Sequence, residues 1–216
     1  MSDGLIIDQL KRNQILDLLK EGKRVDGREF DESRQLTIDL GVIPKAEGSA
    51  RARLGDTEVV AGVKIQPERP FPDTGDKGML ICTAEILPIA HPSAETGPPT
   101  PDVVELARVT DRGIRESGML DMKQLVLEKD KSVIGIFCDN AVTDHDGNLF
   151  DACSYASTAA INSCKIPKYE MQDDAPVKVE DQFTEPPVTT LPVSVTMAKI
   201  GEHIVVDPTI DEWSIM

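Results

Sequence analysis

The chain is poor in aromatic residues, which make up 4% of its 216 positions. That scarcity excludes a nucleic-acid platform made of many stacked rings, though not a single ring in the right place. Histidine is as sparse, with His91, His145 and His203 scattered and none in a Ser/His/Asp or metal-spaced pattern. No G-x-x-x-x-G-K-[ST] or G-x-G-x-x-G occurs, which argues against a nucleotide fold of those types. The four cysteines, Cys82, Cys138, Cys153 and Cys164, form no C-x-x-C pair and match no zinc template. Three lie in apolar runs, where a free thiol behaves as a small buried hydrophobe. This usage suits a reducing cytosol. No apolar stretch approaches the ~20 residues needed to span a bilayer, and MSDGLIIDQLKRNQ lacks a charged-then-apolar signal layout. These absences together predict a soluble, cytoplasmic protein with no membrane partner, no metal and no cofactor.

What is present is acid. The net charge is −15, which excludes a surface that is basic throughout. The charge is uneven: residues 170–216 carry ten acids against Lys178 and Lys199, whereas residues 11–34 carry seven bases and six acids. A local basic patch is compatible with this balance, because net charge keeps the molecule soluble without fixing its local potential.

Residues 5–20 repeat apolar positions at helical spacing (Ile7, Leu10, Ile15, Leu18, Leu19) before Gly22, and predict an amphipathic helix that needs a packing partner. In EGSARARLGDTEVVAGVKI, Ala50, Ala52 and Leu54 are predicted inward and Ser49, Arg51 and Arg53 outward, with Gly55-Asp56 as the turn to a partner strand. A Pro/Gly loop follows at 66–78 and a strand at 79–87. Thr100-Pro101 predicts a helix start and Gly118 its stop. SVIGIFCDNAVT reads as a strand buried on both faces, and LFDACSYASTAAINSC as a helix of small residues that lies close on a sheet. Residues 170–187 read as an acidic connector, and LPVSVTMAKIG and HIVVD as two closing strands around Gly201-Glu202. The order predicts an α+β (mixed α/β) fold.

Three groups of residues are candidates for function. Arg108, Arg112 and Arg115 share one helix face, a geometry suited to phosphate oxygens. The bland alternative is a solvated face with the ion pairs Glu105–Arg108, Asp111–Arg115 and Arg112–Glu116. The turn Asp144-His145-Asp146-Gly147-Asn148 is not a calcium loop, because Leu149 stands where glycine is needed and Tyr155 where glutamate is needed. It opens a helix whose N-terminus attracts anions, yet Asp144, Asp146 and Asp151 surround it and no base lies between Lys131 and Lys165. Asp207, Asp211 and Glu212 read as a magnesium cluster or, more simply, as a charged strand end.

Arg24-Val25-Asp26-Gly27-Arg28 with Arg34, Glu47-Gly48-Ser49-Ala50, Leu54-Gly55-Asp56-Thr57, the helix ELARVTDRGIRES and the segment IFCDNAVTDHDGNLFDACSYAS resemble the RNase PH family of exoribonucleases in order and spacing. LPIAHPSAETGPPTPDVVELARV and VVDPTIDEW are similar in particular to its catalytically silent, RNase PH-like subunit in archaeal exosomes. The resemblance implies a ribosomal protein S5 domain 2-like fold. It also implies an alternating hetero-hexameric ring with an active RNase PH-like subunit, cap proteins with RNA-binding domains, and RNA as ligand. It makes Arg112, Arg115 and Arg108 the expected RNA-binding residues, with Arg69 a lesser candidate. Active members carry Gly-Gly-Thr-Arg or a similar step at the central turn, where the arginine and the helix N-terminus hold phosphate. Phe150 stands in place of that arginine and Asp151 follows it, so no catalytic residue and no enzyme activity of its own are expected. Active members also place two aspartates near the last strand. DPTIDEWSIM departs from that pattern, and the chain stops before the second aspartate would arrive. The domain expectation is a helical extension at 1–23, a core at 24–168, a connector at 169–187 and, from 188 to 216, the start of a second subdomain that is C-terminally incomplete.

Overall fold

Period-two burial organises the core. The computed structural model describes residues 2–172 and 175–215. Strands β1 (Leu36–Leu40), β2 (Gly48–Leu54), β3 (Thr57–Glu68), β4 (Met79–Ile86), β5 (Val126–Glu128) and β6 (Ser132–Asp144) form one six-stranded sheet in the order β1-β2-β3-β6-β4, with β5 also paired to β6. The β2–β3 hairpin turns at Gly55-Asp56, as expected, with Leu54 opposite Thr57. Ala50, Ala52 and Leu54 on β2 and Val59, Ala61, Val63 and Ile65 on β3 face the core. Ser49, expected outward, is buried: its hydroxyl accepts from the Ile43 N–H at 2.8 Å, a loop bond that pattern alone does not reveal. Strand β6 runs antiparallel to β3 and parallel to β4. Its first residues are buried on both faces, but beyond Ile136 the second face opens at Asp139 and Thr143.

Two helices, α2 (Pro101–Glu116) and α3 (Leu149–Asn162), cover one face of the sheet. Ala152, Cys153, Ala156 and Ala160 on α3 are fully buried, so the helix backbone approaches the strands closely. Gly48 marks the closest approach: a Cβ there would lie 2.4 Å from the Ala160 carbonyl oxygen and 2.5 Å from Cys164 Cβ. Replacing Gly48 by alanine is therefore expected to push α3 off β2 and cost about 1–3 kcal/mol, as overpacking typically does, read as a lower urea midpoint.

A second core forms around a smaller unit. The N-terminal helix α1 (Ser2–Lys20) places Ile15 and Leu19 against Ala198, Ile200 and Val205 of the hairpin β9 (Met197–Ile200) and β10 (His203–Val206), with Ile215 completing the cluster. The hairpin turns at Gly201, whose φ of 61° suits glycine. The side chain of Ile7 lies outside the described residues, and Leu10 is exposed. The first closing strand is shorter than expected, because residues 191–196 have no strand partner. Instead Thr196 N–H and the Ser194 and Thr196 hydroxyls donate to the Asp151 carboxylate. The expected connector at 169–187 is largely a hairpin, β7 (Ile166–Gln172) with β8 (Ala175–Thr184), in which Tyr169 lies opposite Lys178. The alternation Val177-Lys178-Val179-Glu180 carries it, a period masked by the acid count. Asp173 and Asp174 lie outside the described residues. No helix among the described residues is long and apolar enough to cross a membrane.

Candidate nucleic-acid interface

Helix α2 begins as its sequence demands. Thr100 caps it, its hydroxyl accepting from the Val103 N–H, Pro101 occupies the first turn, and Gly118 follows the C-cap Ser117 with a φ of 69°. Val103, Leu106, Thr110 and Ile114 are buried against the sheet. The remaining surface carries the three arginines, which line a groove of about 450 Å³ between α2 and the edge strand β4.

The arginines are not equivalent. Arg115 is pinned: its guanidinium donates to both oxygens of Asp111, at 3.0 and 2.9 Å, and to the Leu80 carbonyl at 2.7 Å. The hydrogen bond with Asp111 raises its pKa, so its charge is permanent but largely matched. The pairs Glu105–Arg108 and Arg112–Glu116, allowed by spacing, do not form. Among the described residues, Arg108 and Arg112 have no carboxylate partner, and both are exposed. Arg69 is exposed but does not line the groove, whereas Phe71, two residues further on, does and is 54% exposed. The sequence contained one signal for Phe71, a large apolar residue in a Pro/Gly loop.

The β6–α3 turn is arranged differently. Asn148 caps α3 from the left-handed region (φ 48°), its side-chain oxygen accepting from the Asp151 N–H. The expectation that no base offsets the acids of this turn needs correction at Asp146, because one distant arginine reaches it. Arg34 donates to the Asp146 carbonyl at 2.8 Å and carboxylate at 3.2 Å. It also grips Asp207 through Nε (2.9 Å) and Nη2 (2.8 Å). Arg28 adds a bond to Asp207 at 2.9 Å and Asn148 Nδ2 another at 2.7 Å. Burial alone would raise the Asp207 carboxyl, but the Arg34 side chain and backbone, Asn148 and the Arg34 charge together hold it at about 2. Arg24, fully buried, donates through Nε and Nη2 to Glu212 at 2.9 and 2.6 Å, and to the Val206 and Asp207 carbonyls. The guanidinium groups near this turn are thus engaged by carboxylates.

The Asp207, Asp211 and Glu212 alternatives resolve the same way. Asp207 and Glu212 are held by arginines and Asp211 by Lys11, and no metal-ligating cluster occurs among the described residues. Phe150 packs against Trp213, ring centroids 5.8 Å apart.

Known proteins share the fold that carries this helix and turn. The profile of the 3′ exoribonuclease family, domain 1, matches residues 32–167, and that of domain 2 matches residues 190–216. The chain belongs to this RNase PH family of 3′ exoribonucleases. It is 47% identical to exosome complex component Rrp42 of Methanocella arvoryzae, over 97% of this chain and 78% of that one. It is 48% identical to the protein of the same name from Thermococcus gammatolerans, over 100% and 80%. In structure it matches a chain of the Archaeoglobus fulgidus exosome with RNA bound to the active site. That match has a TM-score of 0.89 and 45% identity, over 98% of this chain and 80% of that one. Rice Rrp46, at 18% identity and a TM-score of 0.65 over 88% and 75%, shares the fold.

Proposed function

We propose that this chain is a non-catalytic, RNA-contacting subunit of an exosome core ring. It alternates there with an active RNase PH-like subunit, beneath cap proteins with RNA-binding domains. The observation that carries this reading is where free positive charge resides. At the turn where active relatives hold phosphate, Arg24, Arg28 and Arg34 are spent on Glu212, Asp207 and Asp146. On α2, Arg108 and Arg112 stay unpaired among the described residues, beside a groove. Guanidinium forks bind phosphate oxygens through charge-assisted bonds, so RNA is held at the helix and phosphorolysis falls to the partner. The exosome relatives support the assembly.

Mixing the chain with its active partner, and following a 5′-labelled RNA in phosphate and magnesium, tests the division of labour. Shortening is expected from the ring and none from this chain alone; phosphate-dependent shortening by the isolated chain would refute the non-catalytic reading. In the reconstituted ring, Arg112→Glu is expected to weaken RNA binding about tenfold or more, the size of a missing charged hydrogen bond. It also flattens the salt dependence by roughly 0.7 in log–log slope for each phosphate of a single strand that is no longer neutralised. Unchanged affinity and slope would favour a purely structural ring member.

A further inference from the structure

Between the N-terminal half of α2, the β6–α3 turn and the short helix α4 (Ile210–Trp213) lies a second cavity, of about 320 Å³. Leu106, Phe150, Ile210 and Trp213 give it apolar walls, and Asp102 and Glu105 stand among its lining residues. The cavity is separate from the arginine groove, and its charge is opposite.

Two features bear on its ligand. Among the described residues, Asp102 and Glu105 have neither an ion pair nor a side-chain hydrogen bond, and both are exposed. The rings of Phe150 and Trp213 are tilted at 55°, and Trp213 keeps 42% of its surface exposed. An aromatic wall attracts a cation over its face, indole most strongly, and two unpaired carboxylates add to that attraction. His145 also lines the cavity. Burial first, then His91 and Arg34, lower its pKa, so it adds no positive charge at neutral pH. An RNA phosphate would meet the carboxylates and be repelled.

We propose that this cavity is a docking site for an arginine side chain presented by a partner protein, the aliphatic stem against Leu106 and Ile210 and the guanidinium between the Trp213 face and the carboxylates of Asp102 and Glu105. Its occupant is cationic with an apolar body, which matches the lining in both respects. The inference does not depend on RNA binding at α2.

Trp213 is the single tryptophan of the chain, so its emission reports on this cavity alone. The probe is a five-residue glycine–serine peptide with a central arginine, compared with the same peptide carrying citrulline, the neutral isostere. A saturable change in Trp213 emission is expected with the arginine peptide, with half-saturation at least tenfold weaker for citrulline. In the double variant Asp102→Asn, Glu105→Gln, half-saturation for the arginine peptide is expected to weaken at least fivefold, while Asp73→Asn, Asp76→Asn on the distant loop leaves it unchanged. Equal responses to arginine and citrulline, no saturable response from a chain that is folded by circular dichroism, or tighter quenching by a single-stranded RNA than by the peptide would each overturn the proposal.

Discussion

Replacing Glu212 by glutamine is expected to lower the stability of the fold by about 3–5 kcal/mol, the cost of removing one member of a buried ion pair. Its partner Arg24 has no exposed side-chain surface, and Glu212 has 1%. Guanidinium groups as a class keep their charge across the ordinary pH range, so glutamine leaves a cation without its partner in a desolvated site. The change is close to isosteric, and the glutamine oxygen can still accept from the Thr209 N–H that Glu212 now engages at 2.9 Å. The loss therefore reports the charge rather than the cap. Arg24 lies just beyond α1, Glu212 in α4, and the same guanidinium ties down the Val206 and Asp207 carbonyls. Loss of the pair is expected to loosen the 24–32 segment from α4 and from the end of β10. Lys11–Asp211, in the same short segment but half exposed on both sides, provides the contrast: Lys11→Ala is expected to change stability by less than about 1 kcal/mol. Urea unfolding of both variants separates the two cases. An unfolding free energy for Glu212→Gln within about 1 kcal/mol of the parent would show that water reaches the pair.

These examples mark where sequence reading succeeds and stops. Thr100, Pro101 and Gly118 bound α2 because capping is decided within one turn of chain, and Ala50, Ala52 and Leu54 face inward because the strand period is local. The helix face holding Arg108 and Arg112 was legible for the same reason. That those two stay free while Arg115 is bound was not, since the Leu80 carbonyl that helps to hold Arg115 comes from β4. The β6–α3 turn shows the limit most clearly. Its aspartates were visible, but the cation that answers Asp146 stands more than a hundred residues earlier in the chain, and only folding brings Arg34 to it. Phe71 was hidden by low aromatic content as a whole-chain average, which says nothing about a single ring beside a groove. The β7–β8 hairpin was missed because acid count outweighed a weak alternation.

Asp207 is the point where three parts of the chain are joined, and Asp207→Asn is expected to destabilise the protein by about 3 kcal/mol or more at neutral pH. Its backbone lies in the left-handed region at φ 52°, which asparagine tolerates, so strain does not confound the result. What is lost is the anion shared by Arg28 and Arg34, together with an acceptor for the Asn148 side chain that caps α3. The pH dependence distinguishes this from a packing defect. The Asp207 carboxyl is held at about 2 in the folded protein, against an ordinary 3.8. A depressed folded-state pKa means that the unfolded chain takes up the proton first. The stabilisation is thus complete above about pH 4 and is lost as pH falls through about 2. The shift corresponds to about 2 kcal/mol. The stability gap between the parent and Asp207→Asn, followed by urea unfolding from pH 7 to pH 2, is expected to stay constant down to about pH 4 and then narrow by that amount. A gap that stays constant to pH 2 would mean that Asp207 titrates as an ordinary carboxyl and that its arginines are satisfied elsewhere. Narrowing in the acid range alone would place the anion of Asp207, rather than its shape, at the centre of the network that keeps Arg28 and Arg34 from any phosphate.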